Sequence, residues 1–236
     1  MTVLRYYIYI SDSKVDMLLP QVPNQIKRKI ADEFAIDLKI FSARRQTEVL
    51  DNDTRVSRLQ VVEHHLRENA SVGSVDDHEA RWIADCLPMR WSVAEVQYCG
   101  KNHKIVFFAG QKDSSYVVLT GSAENVLGTT HGYSGSLAPT ILAVLAREPE
   151  WIRKALEVNS IEGAIGAIDM MQLNLAEEQE ALGRVVDMAE MRNGAVQEVE
   201  FLAKRMMSGQ TIRHTYEEPR EVSVVLGTPL YVAQAD

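Results

Sequence analysis

The sequence predicts an α+β fold with an α/β-like opening: a central mixed sheet, an antiparallel meander within it, and a C-terminal helical layer. Three observations carry this. Residues 3–10 form an aromatic and β-branched run, apolar on both faces, followed by a helical pattern and a second strand-like run. Residues 89–120 hold three strand-like runs joined by short polar turns. Residues 137–208 show helical periodicity, and a strand-like run returns at the end.

The elements follow in order. Residues 3–10 read as a central strand. A polar loop follows at residues 11–16, then a Pro-bounded apolar segment. Asn24 is a good N-cap after Pro23, and Ile26, Ile30 and Phe34 share one face, so residues 24–34 read as a helix. Residues 36–42 alternate as a second strand, and this β-loop-α-β opening suggests a parallel pair with a crossover helix. Val56, Leu59, Val62 and Leu66 stripe a helix over residues 55–68, and residues 77–85 suggest a short helix carrying Trp82 and Ile83 inward. Strands at residues 89–99, 104–109 and 115–120 make the meander, and a short helix at residues 123–127 closes at Gly128. Helical patterns then cover residues 137–145, 149–158, 161–175 and 177–208, with Asn193-Gly194 as a break point in the last. Residues 222–226 and 230–233 read as a returning strand interrupted by Gly227-Thr228-Pro229.

At 236 residues with 46% apolar and 25% charged residues, the chain has ample material for one globular domain spanning residues 1–236. Its sub-regions are 1–128, mixed; 129–221, helical; and 222–236, the returning strand. The formal net charge of -8 argues against general nucleic-acid binding, which needs a basic face. Lys27-Arg28-Lys29 and Arg44-Arg45 are the basic patches. Cys86 and Cys99 form no zinc pattern and are expected as buried free thiols. With no signal-peptide pattern and no membrane-length apolar run, a cytoplasmic location is expected.

Candidate chemistry concentrates in two loops. Ser11, Asp12, Ser13, Lys14 and Asp16 follow the first strand, where α/β proteins place ligands; two carboxylates around a lysine suit a small polar ligand, and a solvated Asx-type loop gives the same string. Residues 128–136 are rich in glycine and serine and hold His131 and Ser134, but they match neither a phosphate-binding P-loop nor a nucleophile elbow; a plain connection capped by Ser136 also fits. His64 and His65 are adjacent on a helix and point apart, so they make no paired ligation. Asp76-Asp77-His78-Glu79 resembles a metal cluster in composition only, and no metal site is expected. The cofactor stays open. Val186 and Phe201 widen the apolar stripe of residues 177–207; that edge either contacts a second copy or a protein partner, or is covered within the chain.

The stretch from Tyr9 through Ser11, Asp12 and Lys14 to Pro23 resembles the opening of a bacterial family of single-domain soluble proteins with no established activity. The resemblance continues at Met89-Arg90-Trp91, Phe108-Ala109-Gly110, Leu119-Thr120-Gly121-Ser122-Ala123 and Gly227-Thr228-Pro229-Leu230-Tyr231-Val232. It implies an accessory role in bacterial conflict or antiphage defence systems, and carries over no catalytic residue. The expected function is a non-enzymatic sensor or adaptor binding a small polar ligand or a protein partner. The competing expectation is a hydrolase or nucleotide-processing enzyme using Asp12 and Asp16 with His131.

Overall fold

Strands dominate the described residues because the β-branched and aromatic runs there are long and largely buried. The computed structural model describes residues 5–34, 52–98, 101–128, 182–183, 195–213 and 219–235. Strand β1 (Tyr6–Ile10) leads through one residue into α1 (Asp12–Leu18), a 3-10 turn (Leu19–Gln21) and α2 (Asn24–Phe34). Helix α3 (Asn52–Asn69) and the two-residue β2 (Val72–Gly73) precede β3 (Trp82–Tyr98), β4 (Lys101–Lys112) and β5 (Ser115–Ser122). A 3-10 turn (Ala123–Asn125) follows, and β6 (Gln197–Arg213) and β7 (Arg220–Gln234) complete a seven-stranded mixed sheet.

The pairings return on themselves. β3 pairs antiparallel with β4 and, at its other edge, with β6; β4 pairs with β5; β5 runs parallel to β7; and β7 pairs antiparallel with β6. Closure removes the exposed edges that an open sheet would leave. With one parallel pair and a long connection between β5 and β6, the circuit is a Greek-key barrel of OB-type topology. Beyond the end of β5, the edge of β7 is taken by β1, antiparallel, and short β2 lies parallel to the start of β3.

The barrel interior follows from the period-2 rule. Leu87 and Met89 of β3, Val106 and Phe108 of β4, Val117 and Leu119 of β5, and Val199, Phe201 and Ala203 of β6 point inward together. A second core lies between the helices and the outer face: Val15, Leu19, Ile30, Leu59 and Val62 pack against Leu202, Leu230 and Tyr231. Each core methylene so buried contributes about 0.8 kcal/mol.

Several expectations change. Residues 11–16 are not a loop: Ser11 alone connects strand to helix, and the rest form α1. Residues 77–85 are not a helix; backbone turns at Asp77 and Ala80 end in strand β3 at Trp82. The helical reading of residues 177–208 fails from Gln197 onward, where β6 runs. Val199, Leu202 and Met206 mimic a helical stripe because the start of β6 buries residues on both faces, Val199 toward the barrel and Leu202 toward the helices. The closing strand is not interrupted at Gly227-Thr228-Pro229. β7 is continuous, and extra residues are absorbed as bulges at Leu230 of β7 and Met206 of β6. The expected strand at residues 36–42, and the expected helices between residues 137 and 175, lie outside the described residues. The helices at 24–34 and 55–68 and the three meander strands stand as expected; the first strand is present as β1 but lies at one end of the strand order, paired with β7 and with Tyr6 exposed, rather than at the centre of the sheet.

Candidate functional site

Helix α1 is built to be held on two sides. Val15 and Leu19, one turn apart, bury into the helical core. Asp12 and Asp16, also one turn apart, face α3, where Arg55 and Arg58 sit one turn apart. Arg55 Nε donates to Asp12 Oδ1 at 2.9 Å and Arg58 Nη2 to Asp16 Oδ1 at 2.6 Å. Arg55 also donates to the Ile10 carbonyl at 3.3 Å, tying the ladder to the end of β1. The two carboxylates expected to meet a ligand are thus paired with guanidinium groups of the same chain.

Lys14 lies two residues from each aspartate, so its side chain leaves the helix on a different face. Its Nζ donates to Ser11 Oγ at 3.2 Å, and Ser11 Oγ lies 3.4 Å from Ser13 Oγ. Among the described residues, no carboxylate reaches Lys14 within ion-pair distance. Desolvation, then repulsion from Lys204 of β6, pushes the Lys14 ammonium down to about 8. Lys204 pairs in register with Thr228 of β7, whose buried hydroxyl has no hydrogen-bond partner among the described residues.

Ser11 is buried and its backbone N–H donates to the Leu230 carbonyl at 2.9 Å. The Asp12 N–H donates to Asn125 Oδ1 at 3.3 Å, and Asn125 Nδ2 reaches the Tyr9 hydroxyl at 3.5 Å. Burial pushes the Tyr9 phenol up to about 12, against hydrogen bonds from Ser11 and Asn125. The start of α1 is therefore fixed to β1, β7 and the turn after β5. Of the residues expected at the ligand site, Ser11, Asp12, Ser13, Lys14 and Asp16 are together in and beside α1; His131 and Ser134 lie outside the described residues.

A second polar assembly was not legible in the sequence. Glu63 of α3, with its side chain 8% exposed, accepts from the Tyr231 hydroxyl at 2.9 Å, Arg67 Nε at 3.0 Å and Arg5 Nη1 at 2.9 Å. Arg5 Nε lies 2.6 Å from Glu200 Oε1, close but not aligned as a hydrogen bond. Burial first, then the Glu63 charge, pushes the Tyr231 phenol up. These donors satisfy the buried carboxylate and bind α3 to β6 and β7; the assembly is structural by its saturation.

Other candidates resolve simply. Among the described residues, no group of three His, Cys, Asp or Glu side chains could hold a metal ion. His64 pairs with Glu68 one helical turn away at 3.1 Å. Cys86 is a free thiol but exposed rather than buried, with Sγ donating to Glu198 Oε1 at 3.6 Å; Cys99 lies outside the described residues. Phe201, expected at a partner interface, is 1% exposed and lines the barrel, so it offers no surface; Val186 lies outside the described residues. No helix among the described residues is long and apolar enough to cross a membrane.

OB-type barrels bind oligonucleotides on the face of their second and third strands. Here those strands are β4 and β5, and Val106, Phe107, Phe108, Val117, Val118 and Leu119 are buried on both faces.

Fold and site define a closed mixed-sheet α+β protein whose α1 carries a polar cluster against the barrel. The chain belongs to a family of unknown function, DUF7019, whose profile matches residues 5–236. No curated protein and no solved structure matches it.

Proposed function

We propose that the chain is a non-enzymatic sensor or adaptor that takes a small polar ligand through an anionic group, at Lys14 with the Ser11 and Ser13 hydroxyls. One observation carries this reading. Asp12 and Asp16 are both engaged by arginines, while Lys14 between them has, among the described residues, the Ser11 hydroxyl as its hydrogen-bond partner. An ammonium held near a second cation, Lys204, gains most from an arriving anion. The hydrolase reading needs Asp12 or Asp16 as a base or metal ligand, and their pairing with Arg55 and Arg58 speaks against that role. Placement in a bacterial defence system rests on the sequence resemblance.

Calorimetric titration of the full chain with inorganic phosphate and with pyrophosphate tests the reading. Saturable binding is expected, lost in Lys14→Met and weakened by raised salt. Absence of binding to either anion in the wild-type protein overturns the anion site. Binding unchanged in Lys14→Met moves it elsewhere.

A further inference from the structure

The segment 74–81, between β2 and β3, crosses one end of the barrel. Its two buried apolar side chains, Val75 and Ala80, pack into the barrel core, while Asp76, Asp77, His78, Glu79 and Arg81 are exposed. Its ends are pinned side by side, because β2 runs parallel to the start of β3, Val72 beside Trp82 and Gly73 beside Ile83. The period-2 rule puts Asp85 in the inward row of Ile83 and Leu87 on β3, and Arg205 in the inward row of Phe201 and Ala203 on β6. Both of these inward charges go to the segment's backbone. Asp85 Oδ2 accepts from the Val75 N–H at 3.2 Å, and Arg205 Nη2 donates to the Val75 carbonyl at 2.9 Å and the Asp77 carbonyl at 2.7 Å. The Arg205 N–H donates to the Arg81 carbonyl at 2.8 Å. Lys112, which ends β4, bridges Asp85 at 2.8 Å and Asp76 at 3.0 Å.

We propose that residues 74–81 are a lid, hinged between Gly73 and Trp82 and latched by Asp85, Lys112 and Arg205, which opens as a unit while the sheet stays paired. Three strands hold it through side chains, and its own share of the core is one valine and one alanine. A segment that buries little apolar surface and is held by polar contacts near solvent opens well below the free energy of global unfolding. Arg205 is the strongest point of the latch, since its guanidinium makes two charge-assisted bonds to lid carbonyls. The Asp85 and Lys112 side chains are 15% and 28% exposed, so water can take over their bonds as the lid lifts. Gly73 lets the chain fold back closely: a Cβ there would sit 2.7 Å from Ala80 Cβ and 2.8 Å from Asp77 Cβ. Lifting the lid bares the apolar barrel end that Val75 and Ala80 cover. This inference does not rest on the anion site at Lys14.

The test is NMR-detected amide hydrogen exchange of the intact protein at rising, sub-denaturing urea. Two amides cross from lid to barrel and report on it, Val75 N–H and Arg205 N–H. Both are expected to exchange through an opening that urea barely changes, and faster than the amides of the doubly paired strands β4 and β5. Arg205→Met should speed exchange at Val75 at least about tenfold. Lys112→Gln, at a partly exposed position, is the milder variant and should speed it about two- to fivefold. Val62→Ala, in the separate helical core, should speed exchange in β4 and β5 and leave the two lid amides unchanged. Lid amides that share the urea slope of β4 and β5, or that accelerate with them in Val62→Ala, overturn the proposal. A Val75 amide that exchanges no faster in Arg205→Met or Lys112→Gln than in the wild type also overturns it.

Discussion

Arg58 Nη2 lies 2.6 Å from Asp16 Oδ1, and this pair, with Arg55 and Asp12 one turn away, holds α1 flat against α3. Both arginine side chains are nearly buried, so each depends on its carboxylate for charge compensation. The ladder is what separates the acids of α1 from its lysine.

Alanine at both Asp12 and Asp16 is therefore expected to destabilise the fold, where a solvated loop would have tolerated it. Removing one carboxylate from a charge-assisted hydrogen bond costs about 1.5–3 kcal/mol. Urea unfolding of Asp16→Asn, Arg58→Met and the double variant measures it. The expected coupling is at least about 1 kcal/mol; additivity of the two single changes would show that the pair contributes nothing.

Phe201 lies in the barrel wall opposite the helices and is 1% exposed. Phe201→Ala should cost about 3–5 kcal/mol as a cavity in the core, and Phe201→Asp should abolish folding. Circular dichroism melting checks both. A folded Phe201→Asp protein of wild-type stability would contradict the barrel assignment of β6.

Gly121 of β5 faces the Tyr9 ring, and a Cβ there would sit 2.8 Å from Cζ of Tyr9. Gly121→Val should destabilise by about 1–3 kcal/mol through overpacking. Pairing it with Tyr9→Leu should recover part of the loss, as read by thermal unfolding. No recovery would mean that the strain is elsewhere.

Much of the barrel was legible from residues alone, and the failures share one physical cause. The strand at Tyr6–Ile10 and the meander from β3 to β5 announce themselves by β-branched runs and short turns. β6 does not, because near its start Phe201 and Leu202 are buried on opposite faces and Val199, Leu202 and Met206 fall at helical spacing by coincidence. Helix α1 was hidden by its polarity: Asp12, Ser13, Lys14 and Asp16 look like a loop until α3 supplies Arg55 and Arg58. The position of a candidate site after the first strand was readable. The sorting of its charges was not, since it depends on residues over 40 positions away.

The pH dependence of stability has a definite sign. The Lys14 amine titrates near 10.5 in the unfolded chain and is depressed to about 8 in the folded one. Between these values the unfolded chain binds the extra proton, so the group's contribution to stability rises with pH. Below about 8 its full penalty is present. Urea unfolding of wild type and Lys14→Met at pH 7 and pH 9.5 reads this. The variant should be the more stable at pH 7, and the gap should narrow at pH 9.5. A gap that widens with pH would reverse the assignment.

The most direct measurement is NMR titration of 13C-labelled lysine side chains in the intact protein, with Lys14→Arg used to assign the resonance. The expected result is a lysine titrating near 8 whose signal disappears in the variant. If the Lys14 resonance instead titrates at or above about 10, as an ordinary solvated lysine does, the amine is compensated, and the anion site is contradicted.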